Sequence, residues 1–151
     1  MPLKTFRFLS LMLVGLSMGA ALAHLFELPN KIGLPAEAYL TVQQNYRGWS
    51  LLGIVVIGAL VSTLILAVLV RGRGTVFRLS LEAFLCILGT QAVFWTFTYP
   101  ANVATQFWTM LPDNWMQLRS QWEYSHAAGA GFNLAAFVCL VLSLLCRQER
   151  R

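Results

Sequence analysis

Charge is what this chain has least of. Charged residues fill 11% of its 151 positions, against roughly 25% in a soluble domain, and this shortfall excludes an ordinary water-facing surface. Acidic side chains number six and histidines two, so any imidazole or carboxylate chemistry must draw on very few residues. Cysteine is equally sparse. Cys86, Cys139 and Cys146 all lie inside apolar runs, with no CxxC and no CxxCH, so a thiol redox pair, a zinc cluster and covalent haem attachment have no support and packing is their expected role. The formal net charge of +5 does not point to nucleic acid either, because the cations sit in short clusters beside apolar runs rather than as a stripe on a polar face.

What is present is apolar length. Hydrophobic residues make up 58% of the chain, and crossing a hydrocarbon core of about 30 Å takes roughly 20 of them in a row. Four such runs stand at about 8–28, 51–70, 79–99 and 127–146. The expected fold is therefore all-α: a four-helix transmembrane bundle forming a single integral membrane domain over 1–151, with two structured, partly helical connections. Lys4 and Arg7 precede the first run, Arg71, Arg73 and Arg78 fill the turn between the second and third, and Arg147, Arg150 and Arg151 follow the fourth. The positive-inside rule then places both termini in the cytoplasm and the two longer connections outside. A bacterial-type inner or plasma membrane, with the outer connections facing the periplasm or exterior, is the expected location, and the lipid bilayer is the first partner.

Small and aromatic residues fill in this layout. Trp49, Trp95, Trp108, Trp115 and Trp122 cluster at the outer ends of the spans, as an interfacial belt would. Gly15 and Gly19 form a GxxxG, and Ala127, Gly129 and Gly131 smooth the start of the fourth span, so close helix approach is expected there and an oligomer is compatible with it. Glu82 lies one turn after Arg78 and is expected to pair with it near the inner interface. The first run also permits a second interpretation. Ala21-Leu22-Ala23 resembles a signal-peptide cleavage site, and cleavage would leave His24 as a new terminus able to chelate a metal. The continuation through Leu25, Phe26 and Leu28 and the GxxxG suit retention instead.

The outer connections are not ordinary hydrophilic loops. In "HLFELPNKIGLPAEAYLTVQQNYRGW", Pro29 is expected to stop the first helix and Pro35 to start another that runs into the second span. In "YPANVATQFWTMLPDNWMQLRSQWEYSH", Pro100 and Pro112 are expected breaks, and Asn114 with Gln117 reads as a capping box opening a helix near Trp115. On that helix Trp115, Arg119, Trp122 and His126 share a face, Arg119 reaches Glu123, and Glu123 reaches His126. At the outer end of the first span His24 and Glu27 are again one turn apart. Both histidines, each with a carboxylate neighbour, thus stand at one membrane depth and are expected to converge.

Two chemistries use that convergence. His24, Glu27, Glu123 and His126 form a candidate ligand set for one iron, copper, zinc or manganese ion, since paired Glu-x-x-His is a ligand unit of di-iron bundles and this chain lacks the further carboxylates of a dinuclear site. Alternatively one imidazole is a general base oriented by a carboxylate, with Arg119, Asn102 or a tyrosine stabilising negative charge on a substrate. An ExxH at a helix start also arises as a plain capped interface, in which Glu123 favours the helix N-terminus and pairs with Arg119.

At these residues the chain resembles a known family. "HLFELPNKIGLP" together with Tyr99, Pro100, Asn102, Trp115, Leu118, Arg119, Trp122, Glu123 and His126 is similar to the anthrone-oxygenase-like family of small four-span membrane proteins, largely catalogued as a domain of unknown function. The resemblance implies an oxidoreductase that converts lipophilic anthrones to anthraquinones with molecular oxygen and no tightly bound organic cofactor. It further implies His126 as base, Glu123 as its orienter, Arg119 and Asn102 at the oxyanion, and Trp115, Trp122 and Tyr99 against the aromatic substrate. A non-catalytic metal- or ligand-binding membrane protein, or an accessory subunit of a membrane complex, are the competing classes.

Overall fold

The computed structural model describes residues 2–146; the basic cluster Arg147, Arg150 and Arg151 lies outside the described residues. Every regular element among them is helical. Four helical rods are long and apolar enough to cross a membrane, covering Pro2–Lys31, Trp49–Leu69, Thr75–Ala104 and Trp115–Leu145. The first is helix α1 (Pro2–Lys31). A short helix, α2 (Ala36–Gln43), and a turn through Gly48 lead to α3 (Leu52–Leu69). The third rod comprises α4 (Thr75–Val93), a π-helical segment over Phe94–Thr98 and α5 (Tyr99–Ala104); the fourth is α6 (Trp115–Leu145).

The rods close into a ring in which α1 packs on α3, α3 on α4, α4 on α6 and α6 back on α1. The interior is narrow because its residues are small: Ala59, Ala83 and Ala136 are fully buried beside Val14, Ile87, Leu66 and Leu140. Thr63 and Ser80, which face inward, bond their own helix, on the Ala59 carbonyl at 2.7 Å and on that of Val76 at 2.8 Å, as polar groups in an apolar medium commonly do, whereas the buried Ser10 hydroxyl has no hydrogen-bond partner. The large apolar side chains point the other way. Ile54, Ile57, Val61, Leu64 and Val68 on α3 and Leu134, Val138 and Leu142 on α6 are exposed; a soluble monomer rarely shows so wide an apolar surface, whereas lipid covers it.

Several local expectations change. Pro29 sits inside α1 rather than ending it. It falls in the last turn, so the single backbone bond it deletes is cheap, and the helix ends two residues later at Lys31. Helix α2 does not run into the second span, because Gly48 takes a left-handed conformation at φ 87° that turns the chain. Pro100 does not break the third rod; the helix widens to π geometry just before it, which accommodates a ring that would clash with the carbonyl one turn back. Glu82 is not paired with Arg78, whose guanidinium donates to Thr75 Oγ1 at 3.3 Å; Cys139 Sγ meets the Glu82 carboxylate at 3.8 Å. The close glycine contacts are Gly89 against the Phe132 ring and Gly58 against Leu13, while Gly19, Gly129 and Gly131 meet nothing.

Candidate functional site

The C-terminal end of α1, the N-terminal end of α6 and the connection between α1 and α3 meet in a second, aromatic core. Tyr39, Ala101, Trp108 and Trp122 are buried there, with Leu34, Tyr46, Trp115 and Leu118 packed around them. Helix α6 begins at Trp115, one residue past Asn114 as expected, but no side-chain cap forms. Asn114 has φ −92° and ψ 19° instead of the extended conformation that aims a capping side chain. Backbone bonds from Gln117 and Leu118 to the Asn114 carbonyl, at 3.0 and 3.2 Å, start the helix instead.

From that start α6 carries Trp122, Glu123 and His126 into the junction. His126 stacks on His24 of α1, ring centroids 4.1 Å apart and planes 25° from parallel. Trp122 flanks both, 4.2 Å from His126 and 5.1 Å from His24, and Tyr46 and Trp49 close the other sides of His24 at 4.5 and 5.3 Å. His24 is buried, and its Nδ1 is buried with no hydrogen-bond partner. The two histidines of the chain are therefore in ring contact inside an aromatic box, which their spacing from the apolar runs foretold.

The carboxylates go elsewhere. Lys31, at the end of α1, is only 3% exposed and places its ammonium 3.3 Å from Glu123 Oε1 and 3.4 Å from Glu27 Oε2. It donates to the Tyr46 hydroxyl at 2.5 Å, and that hydroxyl donates in turn to Glu27. On the far side Tyr39 donates to Glu123 Oε1 at 3.0 Å and accepts from Gln43 Nε2 at 2.5 Å. Burial and the adjacent Glu123 carboxylate push the Tyr39 phenol far above its ordinary pKa; burial and the bond to Glu27 do the same for Tyr46. Glu123 thus turns to Lys31 and Tyr39 rather than to Arg119 or His126.

This arrangement does not fit the four-residue metal set. Among the described residues no group of three or more His, Cys, Asp or Glu is placed to hold a metal ion. The imidazoles face each other ring on ring, and the carboxylates already share one cation, the Lys31 ammonium. Arg119 donates to the Leu34 carbonyl at 2.7 Å and lies 4.6 Å from the Trp115 ring centre. Asn102 accepts two indole N–H groups on Oδ1, from Trp122 at 2.8 Å and Trp108 at 3.1 Å. Asn102 thus braces Trp122 of the box, and Arg119 braces the Tyr39–Trp115 side of the aromatic core. Trp115 packs on its Tyr39 side, whereas Tyr99 lies apart, exposed and tilted against Trp95 at 4.9 Å.

No family model matches the chain, and no curated protein or solved structure does. The site must be read from its own chemistry. Lys31, Tyr39, Gln43 and Tyr46 are its members that the sequence patterns did not single out. For Lys31 a signal existed, since it follows Glu27 by the four residues of a helical ion pair; it was masked by placing a helix stop at Pro29.

Proposed function

We propose that this protein is a membrane oxidoreductase that removes a proton from a lipophilic, weakly acidic aromatic substrate of the anthrone type and allows the resulting carbanion to react with molecular oxygen. The observation that carries this reading is the stacked His24–His126 pair in its box of Trp122, Trp49 and Tyr46. Imidazole is the side chain most often used as a general base, and the flat electron-rich rings around this pair suit a flat polycyclic substrate. His126, the more exposed of the two, is the base. Trp122 lines the substrate face. Lys31, whose ammonium lies 5.1 Å from the Trp122 ring centre, is the cation that stabilises the oxyanion formed as the proton leaves; Asn102 braces Trp122, and Arg119 braces the Tyr39–Trp115 side of the aromatic core.

The reaction balances without a further redox partner. The methylene carbon of the anthrone gives one proton to imidazole, and oxygen adds at that carbon to form a peroxide anion that takes one proton from water. Loss of the second methylene hydrogen with cleavage of the O–O bond releases water and yields the quinone; the proton left on imidazole returns to water, so none is gained or lost overall. Location at the outer leaflet follows from the positive-inside reading of the basic clusters. Oxygen uptake by purified protein supplied with an anthrone tests the whole reading. Wild type should exceed the solvent rate, His126→Ala should fall by about a hundredfold or more, and Trp122→Ala should raise KM. Uptake equal to solvent in wild type, or undiminished in His126→Ala, contradicts it, and tight anthrone binding without turnover would favour a ligand-binding role.

A further inference from the structure

The ionic groups beside the histidines form a graded chain from solvent to the interior. Glu27 has 47% of its side chain exposed, Lys31 has 4%, and Glu123 has none. Between them every link is a donor–acceptor contact: Lys31 Nζ donates to Tyr46 Oη at 2.5 Å, Tyr46 Oη donates to Glu27 Oε2, and Lys31 Nζ also touches Glu123 Oε1 at 3.3 Å and Glu27 Oε2 at 3.4 Å. A purely structural ion pair needs one carboxylate per cation. Here a second, half-exposed carboxylate and a phenol continue the contact outward to water.

Buried Glu123 also has an oxygen to spare. Its Oε2 is buried without a hydrogen-bond partner, although a buried carboxylate oxygen ordinarily has one. It is therefore free to take up a proton. Glu123 stands one helical turn before His126 on the same helix. The titratable and charged groups around this carboxyl are Lys31 and Glu27 from α1, Tyr39 from α2, Tyr46 from the connection, and Arg119 and His126 from α6.

We propose that Lys31, Tyr46 and Glu27 are an outward proton path that drains buried Glu123 to the membrane surface. In each passage Lys31 gives an N–H proton to Tyr46 Oη, Tyr46 gives its own hydroxyl proton to Glu27, and Lys31 regains a proton from protonated Glu123. The sum is transfer of one proton from the Glu123 carboxyl to the Glu27 carboxylate, with Lys31 and Tyr46 returned to their starting states. The donor directions in the folded protein already point this way, from ammonium to phenol to carboxylate. The path's purpose rests on the proton-abstraction reading above, because a base that takes a proton from each substrate molecule must lose it before the next. Its existence does not.

The test therefore reads proton movement without turnover. Full-length protein in detergent is given a light-released proton jump, and the carboxyl C=O stretch lost in Glu123→Gln is followed in the infrared. In wild type this band should rise and then decay. In Glu27→Gln its exchange should slow at least about tenfold, with Glu27→Asp near wild type and added formate restoring the rate in Glu27→Gln. Tyr46→Phe should slow it less, since Lys31 also touches Glu27 directly. Unchanged exchange in both Glu27→Gln and Tyr46→Phe, or no Glu123 band in wild type, overturns the proposal. Wild type that consumes no oxygen with an anthrone, yet shows the Glu27-dependent band, would sink the oxygenase reading alone.

Discussion

Lys31 is the residue on which the polar end of the bundle turns. Its ammonium joins the two carboxylates, and it is buried with one of them, so removing it strands Glu123 in a dry site. Lys31→Met should destabilise the protein by about 3–5 kcal/mol, whereas Lys31→Met with Glu123→Leu should recover most of that loss, because the desolvated charge is gone with its partner. Denaturant melts of the single and double variants check it; equal losses in both contradict the ion-pair account. Tyr39 and Tyr46 make a second expectation. Their folded pKa values are raised, so their contribution to stability is complete below the unfolded value near about 10 and is lost as pH climbs from there toward the folded value. In an alkaline absorbance titration of folded protein, Tyr39→Phe and Tyr46→Phe should leave the phenolate signal below about pH 11 unchanged. A signal that shrinks in either variant would show that the phenol ionises normally. The histidine meeting was legible in the sequence because each imidazole sits at the end of an apolar run whose depth is fixed by length. The partners of the carboxylates were not, because they depend on Lys31, Tyr39 and Tyr46, which reach the site only through the fold of the connection.

At the scale of elements, the π segment at Phe94–Thr98 and the turn after α5 show where local rules yield to context. The π geometry leaves the Phe97 carbonyl to accept from Gln121 Nε2 at 2.8 Å, and Thr98 Oγ1 shares a hydrogen bond with Ser125 at 2.7 Å. These bonds tie the irregular stretch of the third rod to α6 within three residues of Trp122 and two of Glu123. Gln121→Leu should therefore cost about 1 kcal/mol and should also loosen the box, seen as faster quenching of tryptophan emission; a variant as stable as wild type would mean that the carbonyl has another partner. Beyond α5, Gln106, Phe107 and Trp108 have φ of 47°, 57° and 61°, a left-handed turn that costs non-glycine residues roughly 1–2 kcal/mol each. The return is that Trp108 reaches Asn102 and meets Tyr39 in a T-shaped contact, 5.1 Å between centroids. No periodicity or turn residue in "ATQFWTM" announces such a turn. The four rods were legible from apolar length alone, but their ends, set by Gly48 and this turn, answer to packing.

The molecule as a whole is a thin-cored ring of four rods with its polar chemistry gathered at one end. Away from that end Thr63, Ser80 and Ser143 bond their own helices among small side chains, while ion pairs and buried phenols occur, among the described residues, only where α2 folds over the bundle. The positive-inside reading of the basic clusters makes a topology prediction: a membrane-impermeant thiol reagent should label Glu37→Cys in intact cells and reach Arg73→Cys only after lysis, and the reverse pattern would invert that orientation. The central claim is that the histidine pair takes a proton from a carbon acid, and it is reached most directly with oxygen excluded. An anthrone deuterated at its methylene should lose deuterium to water faster with wild-type protein than in buffer, and His126→Ala should return the rate to that of buffer. Exchange at the buffer rate in wild type, or at the wild-type rate in His126→Ala, would contradict the account.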